Sequence, residues 1–209
     1  PELEADLGVL KTLQTALRKG EWKVTVAVHL GDDMFSPRIM QVWPSYYDGT
    51  IYGLAVDLGS TTIAAHLCDL QSGEVVASSG IMNPQIRFGE DLMSRVSYAM
   101  MNPGGDAEMT RAVRDALNTL FVQIASEAEI DRNLIVDAVF VCNPVMHHLF
   151  LGIDPFELGQ APFALATSES LSLRALELDL NLHPAARVYI LPCIAGHVGA
   201  DAAAVALSE

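Results

Sequence analysis

The chain has 209 residues, of which 51% are hydrophobic and 18% charged, so it can build one large domain or two small ones around a sizeable core. Its formal net charge of −14 argues against nucleic acid or an anionic membrane as the main partner, since both recruit clustered Lys and Arg. Nucleotide stays open, because backbone N–H groups and Mg²⁺ can supply the neutralising charge. The three cysteines (Cys68, Cys142 and Cys193) form no C-x-x-C pair, so neither a zinc nor an iron–sulfur ligand set is written here. An odd, scattered set of thiols suits a reducing cytoplasm. No signal peptide or long uncharged apolar run occurs, so neither secretion nor membrane spanning is expected. The chain opens at Pro1 and ends in an alanine-rich helical pattern, which leads us to expect a piece of a longer protein.

Residues 1–20 read as one amphipathic helix. Leu3, Leu7, Leu10, Leu13 and Leu17 recur at helical spacing, Glu2, Glu4 and Asp6 sit at the start, Arg18 and Lys19 at the end, and Gly20 follows as a stop. WKVTVAVHL (22–30) alternates like a strand, GDD (31–33) reads as a turn, and PRIMQVW (37–43) can be the partner strand. PSYYDG (44–49) has linker composition, which places a boundary near residue 50.

Three strands follow: IYGLAVDL (51–58), TIAAHLCDL (62–70) and EVVASSG (74–80), with Ser72-Gly73 as the second turn. Helices fit 91–101 and the stretch after Asn102-Pro103-Gly104-Gly105, where Asp106 can cap and Val113, Leu117, Leu120, Phe121 and Ile124 form one apolar stripe. VDAVFVC (136–142) reads as a strand buried on both faces, and Asn143-Pro144 opens a short helix. In the irregular stretch 152–186, Leu176, Leu178, Leu180 and Leu182 alternate like a strand. RVYILP (187–192) is a last short strand, and GHVGADAAAVALSE (196–209) a small-residue helix. The order predicts a mixed sheet with helices on its faces.

The turn in GLAVDLGSTTIAAHL (53–67) carries the chemistry. A hairpin needs its glycine, but it has no use for an acid followed by three hydroxyls. Backbone N–H groups spaced by Gly59, with the hydroxyls of Ser60, Thr61 and Thr62, can cradle a polyphosphate. Asp57 could hold Mg²⁺ through its waters. The string D-x-G-S-T is short, and an ordinary polar hairpin accounts for it too; its place on the first hairpin of this element order favours the phosphate loop.

VDLGSTT followed by strand, Ser-Gly turn and strand resembles the first phosphate loop of the actin-like ATPases, the superfamily of sugar kinases, heat-shock chaperone ATPases and actin. GLAVDLGSTTIAAHL, MNPQIRFGEDLMSRV, VFVCNPVMHHLFLG and YILPCIAGHVGADAAA, in that order, look like the ATPase domain of the reductive activators of corrinoid proteins. The resemblance implies an α/β fold: one lobe of an actin-like (ribonuclease H-like) ATPase at 50–209, with three antiparallel strands plus parallel strands in a mixed sheet. A small α+β segment at 1–49, the end of a middle domain, would precede it. It also implies ATP and Mg²⁺ as ligands, a two-iron, two-sulfur cluster in a ferredoxin-like domain absent from this chain, and a corrinoid protein of a methyltransferase system as partner. The activity implied is ATP-dependent reduction of Co(II) to Co(I), in the cytoplasm, and a homodimer would fit the superfamily. The four cluster cysteines, the second phosphate loop and the adenosine-binding segment of such proteins are not in this sequence. A small-molecule kinase of the superfamily, or a nucleotide-controlled actin-like interaction module, are the rival classes.

Asp201 lies where the resemblance puts a lobe-connecting helix; there a carboxylate could orient water or Mg²⁺, or simply stabilise a helix start. Gly196 and Gly199 indicate close backbone packing or a hinge. Asn143 suits a helix cap with a ligand-side role. Adjacent in a helix, His147 and His148 point about 100° apart, so one is expected to pack and the other to be exposed; His29, His66, His183 and His197 support no site. The loop carrying Asn83, Pro84, Gln85, Arg87, Glu90 and Asp91 reads either as a turn with a cap or as a feature of the cleft or a partner surface. The cysteines read as small buried hydrophobes.

Overall fold

Alternating apolar residues pair into two sheets, one on either side of residues 45–51. The computed structural model describes residues 3–30 and 37–208, so the turn expected at 31–33 and the acid Glu2 lie outside the described residues. The first sheet has three strands: β1 (Glu4–Ala5), β2 (Val24–His29) and β3 (Arg38–Pro44), in the order β1-β3-β2. β2 and β3 run antiparallel, as the alternation of 22–30 predicts, and β1 is parallel to β3.

The opening helix is shorter than its leucine spacing predicts. α1 spans Leu7–Lys19, while residues 4 and 5 pair with β3. The acids ahead of it serve the sheet: Glu4 and Asp6 both bind the Arg38 guanidinium, the latter at 2.8 Å. Val9 and Ala16 are the buried positions of α1, whereas Leu3, Leu7 and Leu10 are exposed. The helix thus turns a small-residue face inward and leaves most of the leucine stripe outside.

The second sheet is mixed and six-stranded, in the order β6-β5-β4-β7-β9-β8. It consists of β4 (Tyr52–Leu58), β5 (Thr62–Asp69), β6 (Val75–Met82), β7 (Ile135–Cys142), β8 (Leu171–Arg174) and β9 (Arg187–Ile190). β4, β5 and β6 form an antiparallel meander, β7 and β9 extend it in parallel from β4, and β8 closes the far edge antiparallel to β9. The helices are α2 (Leu92–Met101), α3 (Gly105–Glu127), α4 (Pro144–Leu151) and α5 (Ala200–Ser208). The expected stripe of α3 (Val113, Leu117, Leu120, Phe121 and Ile124) is wholly buried against Leu54, Val56, Ile63, Leu67, Ala138 and Phe140 of the sheet. Each such side chain contributes about 1.5–3 kcal/mol. Thr110 and Arg114 donate to the Leu149 and Phe150 carbonyls, tying α3 to the end of α4.

Four details depart from the sequence reading. α3 is capped by Gly104 in the left-handed region (φ 82), so Asp106 lies inside the first helical turn rather than at the cap. β7 is not buried on both faces: Ala138, Phe140 and Cys142 face the core, but Val139 on the other face is exposed, as are its neighbours in register, Ala55 and Tyr189. The alternating leucines of 176–182 form no strand. A 3₁₀ turn at Ala175–Leu178 ends at Asp179 in the left-handed region (φ 53), burying Leu178, Leu180 and Leu182 while Leu176 stays exposed. Finally, His147 and His148 are both buried, because α4 is enclosed nearly all round.

His148 donates through Nδ1 to the Pro144 carbonyl (2.8 Å) and accepts the Ala166 N–H at Nε2 (3.1 Å), which fixes its tautomer. His147 has no partner on either ring nitrogen among the described residues, and burial, then the neighbouring His148, pulls its pKa down to about 4. The folded value lies below the unfolded 6.5, so its stability contribution is intact above pH 6.5 and is lost as pH falls toward about 4. His148 and His183 are shifted in the same direction by burial. Denaturant midpoints should therefore fall between pH 7 and 4.5, and His147→Leu should flatten that limb; a midpoint with the same pH dependence in both proteins would contradict this.

Candidate functional site

β4 and β5 are joined by the turn Gly59–Thr61, at the end of the sheet where the parallel strands β4, β7 and β9 all finish. In open α/β sheets ligand crevices lie outside that edge. The turn is tight: a Cβ on Gly59 would stand 2.4 Å from the Thr62 carbonyl oxygen. Its three carbonyls are all tied back into the protein. Gly59 O accepts from Asn83 Nδ2 (2.8 Å), Ser60 O from Arg95 Nη2, and Thr61 O from the Asn83 N–H (2.8 Å).

A trans peptide holds its C=O and N–H on opposite edges of one plane. With the carbonyls of 59, 60 and 61 drawn inward, the N–H groups of Ser60, Thr61 and Thr62 face the other way. Among the described residues no protein acceptor takes the N–H of Ser60 or Thr61. Thr61 and Thr62 are exposed and Ser60 is half-buried. Convergent free N–H groups of this kind form an anion cradle.

The anchoring groups are completely buried. Asn83, Gln85 and Arg95 are all 0% exposed. Asn83 Oδ1 accepts from the Gln85 N–H (2.9 Å), opening the 3₁₀ turn Pro84–Phe88, and Gln85 Nε2 donates to the Met109 carbonyl of α3 (2.9 Å). Arg95 donates from Nε to Gly89 O (3.0 Å) and from Nη1 to Gln85 Oε1 (3.4 Å) and Met146 Sδ (3.2 Å). The 83–91 segment, which the sequence leaves between a cap and a cleft feature, is the backing of this turn.

The opposite wall is made by Asp57, the β7–α4 junction and the start of α5. Leu58 is in register with Cys142, so Asp57 and Asn143 end neighbouring strands. Asn143 Oδ1 caps α4 by accepting from the Met146 N–H (3.0 Å), as its sequence position predicts. Gly199 packs backbone to backbone on this junction. A Cβ there would fall 2.4 Å from Cys142 O, 2.5 Å from Asn143 Cα and 2.7 Å from Asp201 Oδ1. α5 starts only at Ala200, later than expected, because 195–198 form a small bridged turn instead. Asp201 therefore sits in its first turn.

Burial, and then the negative charge of Asp201, push the Asp57 carboxyl above its usual range. Cys142 is pushed well up by burial and by Cys193, Asp201 and Asp57, so these four groups share one neighbourhood. The structure thus brings together Asp57, the turn 59–62, Asn143, Gly199 and Asp201. A carboxylate whose proton affinity is raised by burial and by a neighbouring acid, beside free N–H groups, is suited to a hydrated divalent cation carrying an anion. Arg95 escaped the sequence reading because an arginine in a helical pattern looks like a surface residue, and nothing in its spacing distinguishes it.

The family model for the RACo middle region matches residues 52–209, and that for the RACo linker region matches residues 1–49. The chain belongs to the RACo family. It is 36% identical over 157 residues to the corrinoid activation enzyme RamQ of Eubacterium limosum, a match that covers 75% of this chain and 26% of RamQ. A solved structure described as a reductive activator for corrinoid, iron–sulfur protein superimposes with a TM-score of 0.85 at 34% identity, covering 96% of this chain and 32% of that one. The six-stranded sheet and its helices have the actin-like ATPase fold of that activator. This RACo chain spans about a quarter to a third of the length of these relatives. No helix of the described residues is long and apolar enough to cross a membrane.

Because the Asp57 pKa is raised on folding, its contribution favours the fold below pH 3.8 and turns to a cost as pH rises through the folded value. At pH 7 Asp57→Asn should consequently leave the melting temperature of the ligand-free protein unchanged or raise it by about 1–2 °C. A drop of several degrees would contradict the placement of Asp57 against a second carboxylate.

Proposed function

We propose that residues 50–209 are the first, nucleotide-binding lobe of an ATP-dependent reductive activator of a corrinoid protein, and that residues 1–49 end its middle domain. The observation that carries this reading is the turn at the end of β4 whose carbonyls are tied inward while the Ser60 and Thr61 N–H groups stay free, with Asp57 on the same strand end and Asp201 close enough to raise its pKa. The names of the two relatives, both concerned with corrinoid activation, support the class of partner.

The residues present fit a Mg²⁺-polyphosphate. The N–H groups and hydroxyls of 60–62 would take phosphate oxygens, Asp57 would hold the cation through water, and Asp201 would order a water on the other side. Gly199 allows that carboxylate to approach. When bound, ATP supplies the free energy of its hydrolysis, which would make an uphill one-electron reduction of Co(II) to Co(I) possible. The electron must come from elsewhere. Three thiols, two of them buried, do not fit a cluster, and no group of three metal-binding side chains occurs among the described residues. A two-iron, two-sulfur domain in the full protein would supply it. A nucleotide bound between two lobes would favour the closed form by its differential contacts, and hydrolysis would reopen it, so that the cluster and the corrinoid meet transiently. The corrinoid protein of a methyltransferase system is the partner.

The test uses the natural full-length protein, a reductant and a Co(II) corrinoid protein, with Co(I) followed in the visible spectrum. Co(I) should accumulate only with ATP, and Asp57→Ala should slow it at least about tenfold. ATP hydrolysis without any Co(I) would instead assign the domain to the kinase or assembly classes.

A further inference from the structure

Arg95 is a fully buried cation with no carboxylate among its hydrogen-bond partners in the described residues. They are the carbonyls of Ser60 and Gly89, the side-chain oxygen of Gln85 and the thioether of Met146. Removing a guanidinium from water is expensive unless its charge is answered. The acid nearest in sequence, Asp91, spends its Oδ1 on capping α2 through the N–H (2.7 Å) and hydroxyl (2.8 Å) of Ser94. In the free protein, then, the Arg95 charge is answered by dipoles and by the more distant field of Asp91. This happens directly behind the turn, in a chain of net charge −14 in which Asp57 lies two residues before Gly59 and feels the charge of Asp201.

We propose that Arg95 is the positioning residue of the phosphate loop, acting through the Ser60–Thr61 peptide: its guanidinium fixes the Ser60 carbonyl, and its charge polarises the Thr61 N–H on the other edge of that peptide toward an anion. The series guanidinium N–H to carbonyl, then peptide N–H to phosphate, strengthens along its length because each bond polarises the next. A phosphate at the loop supplies the counter-charge that Arg95 lacks, without touching it. Of the side chains that donate to the turn carbonyls, Asn83 and Arg95, Arg95 alone is charged. From α2, its fork also reaches the β4–β5 turn, the 3₁₀ turn and α4 at once, which an ammonium cannot do.

This inference rests on the nucleotide reading, and the experiment separates the two. In the full-length protein, affinities for MgATP, MgADP and adenosine are measured for wild type, Arg95→Met and Arg95→Lys, alongside melting curves. Arg95→Met should weaken MgATP about 100-fold and MgADP less, with adenosine within about twofold. Arg95→Lys should recover part of the loss, to about tenfold weaker than wild type, because the charge stays while the fork is lost. If Arg95→Met does not fold, the Lys variant carries the same test through its MgATP-to-adenosine ratio. A folded variant that binds MgATP like wild type, or that loses adenosine as much as MgATP, would overturn the role of Arg95 alone. A wild-type protein that takes no MgATP would overturn the nucleotide reading, and this inference with it.

Discussion

Everything at the candidate site depends on the peptide planes of a three-residue turn. A carbonyl oxygen pulled one way forces the neighbouring N–H the other way, and here three consecutive carbonyls are pulled into the protein by Asn83 and Arg95. Buried polar groups have to be satisfied, and Asn83, Gln85 and Arg95 (itself on α2) satisfy one another, the turn, α3 and Met146 in one connected set. The hydrophobic core supplies the stability that holds this set together. The polar set decides which way the turn faces.

The other half of the site is fixed by close approach. β4 and β7 lie side by side in parallel, so their carboxyl ends bring Asp57 and Asn143 to one rim. Gly199 then lets the chain return over that rim at backbone contact distance, and α5 begins with Asp201 already in place. The elevated proton affinity of Asp57 is the electrostatic mark of this convergence. Among the described contacts, the small sheet of β1, β2 and β3 meets the larger unit away from the rim: Gln41 of β3 contacts His183 (3.2 Å), in the loop before β9 and beside the start of β7.

Much of this fold is legible in the sequence, and the reasons are local. The strand runs of 51–80, separated by short turns, give the three-stranded meander, the 3.6-residue stripe of α3 gives the main core helix, and Asn143-Pro144 gives the start of α4. The acid-glycine-hydroxyl string marks the turn. What the sequence hides is tertiary. The leucines of α1 show good helical spacing, yet Leu7 and Leu10 face outward and the buried positions are Val9 and Ala16. Leu178, Leu180 and Leu182 are buried without being a strand, and His147 is buried although adjacent to another histidine. Arg95 is the clearest case: helical periodicity places it, but only its distant partners at 60, 85, 89 and 146 give it a role.

The backbone contact at Gly199 also makes α5 a lever. A helix of nine residues is about 13 Å long, so a tilt of about 5° at its base moves its far end by about 1 Å. The fulcrum touches Cys142, Asn143 and Asp201, within reach of any change of charge at the rim. A displacement too small to disturb the strands is thereby carried outward along the helix axis, away from the rim.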